Sequence, residues 1–295
     1  MSIDLKLLTF LITSFLIPFT NAQTFLNANT IQFGTGFSSL LGDLGGSTGM
    51  GTNFVRDFDP QSVRISSSTT LCWTGKDHLE YCAGLSHLFL SADDKYSEER
   101  SRKERNLSVS TSVVELSPSI KYNFYSKYNQ ARFHQSKHAF TDVYVSVGIG
   151  FIYFNPKARL GGRVYNLEQF STEGQGLTGG PKRYSKYSVV IPFKLGFRQD
   201  VGILSSMFLE LTTRKSFTDY LDDVSTVYHD NSKISASNGK VAAALADRNT
   251  SGSKHPPGLR RGNSQQNDSY FSIEIGYRRT LVSPRKLAKY SFNSF

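Results

Sequence analysis

The stretch Phe217–Asp230, FTDYLDDVSTVYHD, is where this sequence comes nearest to chemistry. Asp219, Asp222, Asp223 and Asp230 are four carboxylates in one turn-rich segment, the oxygen donors that Ca²⁺ prefers, but their spacing matches no EF-hand loop. Ser225, His229 and Asp222 supply the hydroxyl, imidazole and carboxylate of a nucleophilic set. Any loop this polar permits such a list. The third use is structural, and it fits the residue types best. Aspartates in turns accept hydrogen bonds from nearby backbone amides, and Arg248, Arg260 and Arg261 are cations placed to pair with them. The expectation is a loop organised by its acids, with no catalytic residue, no cofactor and no resident metal.

Such a loop has to hang on a framework, and the framework alternates. Val143, Val145, Val147, Ile149, Phe151 and Tyr153 line one face of Val143–Phe154, against Tyr144, Ser146, Gly148, Gly150, Ile152 and Phe154. A strand turns successive side chains to opposite faces, and the stretch matches the roughly 9–11 residues of a tilted membrane strand. The same pattern recurs in Thr30–Leu41, Thr70–Trp73, Leu79–Leu90, Leu107–Tyr125, Tyr187–Phe197, Met207–Arg214 and Tyr270–Arg279. In Leu107–Tyr125 the apolar phase changes from odd to even positions, which predicts a β-bulge near Val113–Ser117 that turns Glu115 inward. Gln199–Gly202 reads as a tight turn. Long or charged connections follow alternate strands and short turns fill the other end, except for the longer Ser126–Phe140. The predicted fold is all-β: a small antiparallel transmembrane β-barrel of about eight strands. Lys194, Glu210, Arg214, Glu274 and Arg278 would fill its lumen as pairing charges. A lipocalin-like barrel would place the same apolar face inside, but these apolar faces are large and aromatic while the opposite face carries Gly, Ser and charge.

The bulk properties agree with export. An apolar run, Leu7–Phe19, follows Lys6 and ends at Thr20-Asn21-Ala22, so residues 1–22 read as a signal peptide. Gln23, not cysteine, follows the expected cut, so no lipid anchor is expected. Residues 23–280 form the barrel with its loops, and 281–295 a basic tail with Arg285, Lys286 and Lys289. The net charge of +10 in an exported chain points to lipid phosphates or acidic partners, and no nucleic-acid motif is present. Cys72 and Cys82 are equidistant from Asp77 and would face each other across a hairpin. They would be either a cross-strand disulfide or two unpaired thiols in the wall. Trp73 and Tyr81 would meet on the other face, near the turn, as part of an aromatic girdle.

Several stretches, in order along nearly the whole mature chain, carry a family resemblance. They are Leu41–Leu44 (LGDL), Arg105–Ser108 (RNLS), Phe154–Lys157 (FNPK), Thr172–Gly176 (TEGQG), Ile191–Phe193 (IPF), Phe217–Ser225 (FTDYLDDVS), Arg261–Asn263 (RGN) and Asp268–Tyr270 (DSY). In these the chain resembles the PorG-type outer-membrane barrels of the type IX secretion system of Bacteroidota. The resemblance implies a non-enzymatic component that ties a periplasmic ring, built from a PorK-type lipoprotein and a PorN-type partner, to the outer membrane. It would thereby support protein secretion and, in some species, gliding. It marks Asp43, Glu173, Gly174, Asp219, Tyr220, Asp222, Asp223, Ser225 and Arg261 as residues that organise the loops. With short turns facing the periplasm, Arg285, Lys286 and Lys289 become expected contacts to the ring, and outer-membrane lipid the surrounding partner. The Cys72/Cys82 pair and a tail running past the last strand depart from the family's pattern. The competing readings are a ligand-binding or adhesion barrel and a lipid-modifying enzyme on a similar barrel.

Overall fold

The computed structural model describes residues 29–45, 60–76, 78–97, 99–124, 141–202 and 204–281. The expected signal peptide, the basic tail beyond Leu281 and all of Ser126–Phe140 lie outside the described residues. The strands are β1 (Thr30–Leu41), β2 (Arg64–Thr74), β3 (Leu79–Asp93), β4 (Ser108–Asn123) and β5 (Thr141–Gly148). There follow β6 (Gly150–Leu160), β7 (Arg163–Asn166), β8 (Tyr187–Gly202), β9 (Ser205–Ser216) and β10 (Ser269–Thr280). Among the described residues two α-helices, α1 (Arg100–Arg105) and α2 (Asn231–Ala246), lie in the loops.

Every pairing is antiparallel, and β1 is bonded to β2 on one side and to β10 on the other, which closes the sheet on itself. β5 and β6 share both neighbours. Ser119↔Gly148 and Leu116↔Phe151 keep one register against β4, as do Val147↔Phe193 and Gly150↔Val190 against β8. The two strands are therefore one stave, interrupted at Ile149. Beside the gap stand Pro118 on β4 and Pro192 on β8, neither of which has an N–H to give the ladder; Ile149 N–H still donates to Pro118 O at 3.1 Å. Counted this way the ring has eight staves, and β7 is an outlying hairpin partner of β6.

Inside and outside follow the alternation. Gln32, Ser66, Glu80, Ser86, Glu115, Lys121, Ser146, Lys194, Glu210, Thr212, Arg214, Ser272, Glu274 and Arg278 are buried in the lumen. Phe33, Ile65, Leu85, Leu116, Val147, Phe193, Leu209 and Ile273 point outward, and Phe37 and Phe151 are 64% and 56% exposed. An apolar band around the whole ring far exceeds the few hundred Å² that a soluble monomer leaves open to water. Apolar outside and polar within, with no free edge in the ring of staves, is the arrangement that lets a sheet cross a bilayer. No described helix is long and apolar enough to cross a membrane.

Three expectations need correction. No bulge interrupts β4: its fifteen paired positions against β3 run from Leu79↔Tyr122 to Asp93↔Ser108 in one register. Glu115 does face inward, but on unbroken alternation. The phase of the apolar residues changes because the surroundings change. In the upper barrel Val109 and Val113 point into an apolar core, while Ser108, Ser110 and Ser112 face outward above the band. The second correction is the turn after Phe197. β8 continues to Gly202, its one register shift lies between Asp200 and Gly202, and the chain reverses after it. Third, the strand expected to end at Phe154 does not, because β6 runs to Leu160 and folds back as β7.

At one rim, Thr30 is opposite Thr280, so the chain enters and leaves the ring on the same side. The short β2–β3 and β8–β9 reversals lie there too. Near this rim Cys72 and Cys82, directly opposed, are joined by a disulfide, and Trp73 is opposite Tyr81.

Candidate functional site

The long-loop rim is closed by its own loops, and FTDYLDDVS forms the centre of the closure. Leu221 and Val224 are buried among Leu88, Leu90, Val109, Val113, Ile152, Phe154, Val190 and Tyr270 of the barrel wall. Thr111 Oγ1, on the lumen side of β4, donates to Leu221 O at 2.6 Å, which fixes this stretch below the rim. The loop is a plug rather than a lid. A cavity of about 10 Å³ within it, lined by Leu107, Ala158, Asp222 and Arg261 among others, has room for about one water.

The plug is assembled by carboxylates accepting backbone N–H groups, because a loop turned into an apolar core brings amides with no ladder to satisfy them. Asp222 accepts from Asp43 N and Leu44 N (2.8 and 3.2 Å) through one oxygen and from Val224 N (2.9 Å) through the other. Asp268 accepts from Leu221 N at 2.8 Å, and Asp43 from Asn263 N at 2.5 Å. Glu173 takes Ser225 N at 2.9 Å, Thr226 N at 3.1 Å and Thr226 Oγ1 at 2.7 Å. Arg261 completes this knot, donating to Glu173 at 2.9 Å and to Asp223 O at 2.6 Å. Asp223, in the left-handed region at φ 63°, receives Thr172 Oγ1 and Tyr184 OH at 2.5 and 2.6 Å. Tyr184 in turn stacks on Tyr220, ring centroids 4.4 Å apart.

Two glycines show why the TEGQG and RGN stretches read as they do. Gly174 holds φ +73°, and a Cβ there would lie 2.4 Å from the His229 ring. A Cβ on Gly262 would meet Asp43 Oδ2 and Ser225 N within 2.7 Å.

Burial sets the electrostatics. Loss of solvent pushes Asp222 and Asp268 well above the usual carboxylate range; the charge of Asp43 adds to the effect on Asp222, and that of Asp222 to the effect on Asp268. Asp219 is raised to about 7 by burial, with the nearby Ser225 opposing and the charges of Asp43 and Glu173 adding. Asp223 is raised to about 6 by burial, held down in part by Arg261. Asp43 is also raised, again mainly by burial.

All nine residues singled out for loop organisation meet in this one plug. Of the three expected cations only Arg261 hydrogen-bonds the loop acids. Arg248 donates to Ser108 Oγ and Arg159 O, and Arg260 to Gly262 O. The second cation of the plug is Arg105, in the RNLS stretch, which forks onto Asp94 at 2.7 and 2.8 Å and reaches the carbonyls of Asp43 and Arg261. Sequence reasoning missed Asp94 and Arg105 as a pair, and the one available signal was that Arg105 stands in a family stretch.

Neither alternative chemistry is assembled. Asp222, Asp223 and Asp230 go to separate partners, Asp230 capping α2 through Ser232 N at 2.9 Å, and the buried Asp219 carboxylate accepts no hydrogen bond. Among the described residues the group of three side chains close enough to share a metal is Cys72, Glu80 and Cys82, whose sulphurs are bonded to each other. His229 turns its ring nitrogens to the carbonyls of Asp230 and Thr178, and Asp222 is occupied by amides. Ser225, His229 and Asp222 therefore make no relay.

Below the plug the lumen is crossed by ion pairs. Arg214, 1% exposed, donates to Glu115 at 2.6 Å and to Ser272 at 3.0 Å, and Tyr270 OH also donates to Glu115. Towards the short-turn rim Lys194 and Tyr144 both donate to Glu210 at 2.9 Å, and Arg278 forks onto Glu80 at 2.8 and 3.1 Å. Arg198 pairs with Asp142 and, at 3.7 Å, with Glu80.

A family model described as a domain of unknown function, DUF6089, matches residues 6–242. No curated protein matches the chain. Among solved structures, the Neisserial surface protein A (NspA) is similar at 8% identity and a TM-score of 0.38, over 85% of this chain and 96% of that one. Ail, the attachment invasion locus protein of Yersinia pestis in complex with the heparin analogue sucrose octasulfate, is similar at 7% identity and a TM-score of 0.33. That match spans 84% of this chain and 97% of that one.

Proposed function

The chain belongs to the DUF6089 family, and on that premise we propose that it is a non-enzymatic outer-membrane component of the type IX protein secretion system. In this role it anchors a periplasmic ring of a PorK-type lipoprotein and a PorN-type partner, and so supports secretion and, in some species, gliding. The observation that carries the reading is where the family-like stretches lie. LGDL, RNLS, TEGQG, FTDYLDDVS, RGN and DSY are spread over more than two hundred residues of sequence, yet they supply the partners in one hydrogen-bonded plug. A barrel whose distinctive residues are used to close and stiffen it suits an anchor better than a conduit or an enzyme.

In this reading the short-turn rim faces the periplasm, and the chain leaves β10 on that side towards Arg285, Lys286 and Lys289. The test is a tagged pull-down from mildly cross-linked outer membranes, with mass spectrometry of what co-purifies. Recovery of the ring lipoprotein and its partner is expected, reduced when the three tail residues are made neutral. A folded, abundant barrel recovered without ring proteins would overturn the proposal.

A further inference from the structure

Among the described residues, charge is sorted by sign with respect to solvent. Every described aspartate and glutamate is buried or half-buried, whereas basic side chains stand exposed at the long-loop rim. One sector of that rim concentrates them. Tyr153 and Tyr187, opposite each other on β6 and β8 with rings 5.2 Å apart, point outward at the upper edge of the apolar band. Lys157 and Arg159 continue the same outward face of β6, and Arg163 lies across the β6–β7 hairpin. Lys182 and Arg183 sit in the segment that leads into β8, the neighbour of β6, and are exposed. Arg159, Arg163, Lys182 and Arg183 have no acidic partner among the described residues.

Position identifies the anion that suits them. Four residues of tilted strand place Lys157 about 10 Å beyond Tyr153 along the membrane normal. Its flexible stem can reach back towards the edge of the hydrocarbon. Lys157 and Arg159 are on the outer wall, continuous with the lipid-facing band, and Arg183 lies beside Gly176 where that wall meets the plug. We propose that this β6–β7–β8 sector binds the phosphorylated headgroups of the surrounding outer-leaflet lipid. The inference rests on the membrane-barrel reading, and it concerns the rim opposite the one that would meet the ring.

The experiment uses the full chain reconstituted in phosphatidylcholine vesicles containing a minor fraction of diphosphorylated lipid A or its phosphate-free counterpart. After flotation and gentle extraction, native mass spectrometry counts the lipid A retained per barrel. With each basic side chain near a charged surface contributing to attraction, an enrichment of about tenfold for the phosphorylated lipid over its counterpart is expected. It should be lost in the combined variant Lys157→Gln, Arg159→Gln, Arg163→Gln, Lys182→Gln, and kept in Lys233→Gln, Lys240→Gln on α2. Heat-dependent gel mobility shows that each variant has folded. Equal retention of the two lipids, equal enrichment in the four-site variant, or capture of a soluble heparin fragment without lipid enrichment would each overturn the proposal. If the wild-type chain fails to float with the vesicles, the membrane reading itself fails; if it floats without enrichment, only this inference does.

Discussion

Asp219 and Asp223 are acids whose charge the fold disfavours, and that has a direction in pH. Both are raised, to about 7 and about 6, from an ordinary value of 3.8. Between those limits each binds more protons in the folded chain than in the unfolded one, so the contribution of this pair to stability falls as pH rises from about 4 to about 7 and is then level. Local opening of residues 217–226, followed by amide hydrogen exchange, should be rarer at pH 5 than at pH 8. Asp219→Asn should flatten the part of that dependence near neutrality and slow exchange at pH 8; an unchanged profile would show that Asp219 is not the group responsible. Arg214 and Glu115 make the opposite case. Both are buried and charged, and each is the other's compensation. Arg214→Leu should cost roughly 3–5 kcal/mol, because it leaves a carboxylate alone in the lumen. Urea titration of the barrel in vesicles reads this directly, and adding Glu115→Leu should return much of the loss.

At the scale of elements, β4 carries two environments on one unbroken ladder. Leu116 faces lipid and Val113, three residues away, faces the plug core. A cysteine at Val114 should therefore react with a lipid-soluble maleimide, and one at Val113 should not. A bulge between them would reverse the result. On the same strand Leu116→Arg should cost roughly 2–4 kcal/mol, whereas Ser110→Arg, above the apolar band, should cost little. The expectation of a bulge failed for an instructive reason. It treated a change in which face is apolar as a change in which way the side chains point. In a strand longer than the bilayer is thick, the core it passes through can change while the geometry does not.

For the whole molecule, closure has a measurable consequence. Among the described residues, the plug closes one end of the lumen and the Arg214–Glu115 and Lys194–Glu210 pairs cross it below. The barrel in a planar bilayer should show no steady conductance. Leu221→Asp, which places a charge among the wall residues of the plug, should produce flickering conductance if the plug is what seals the barrel; silence would assign the seal to the ion pairs beneath it.

Alternation, loop placement and the direction of the lumen charges were legible in the residues alone, because a period of two is a local property of the chain and needs no partner. So was the exit of both ends at one rim, since an even number of staves requires it. What the sequence could not reveal is who meets whom. Asp222 finds amides 178 and 179 positions away, Glu173 finds Ser225 across 52, and Arg214 finds Glu115 across 99. Those distances are set only when the ring closes and the loops fall into its mouth. The acids of FTDYLDDVS could have served a metal, a relay or a plug as far as their types and spacing go. What tertiary structure adds is their surroundings, since it buries them against backbone amides and an apolar wall.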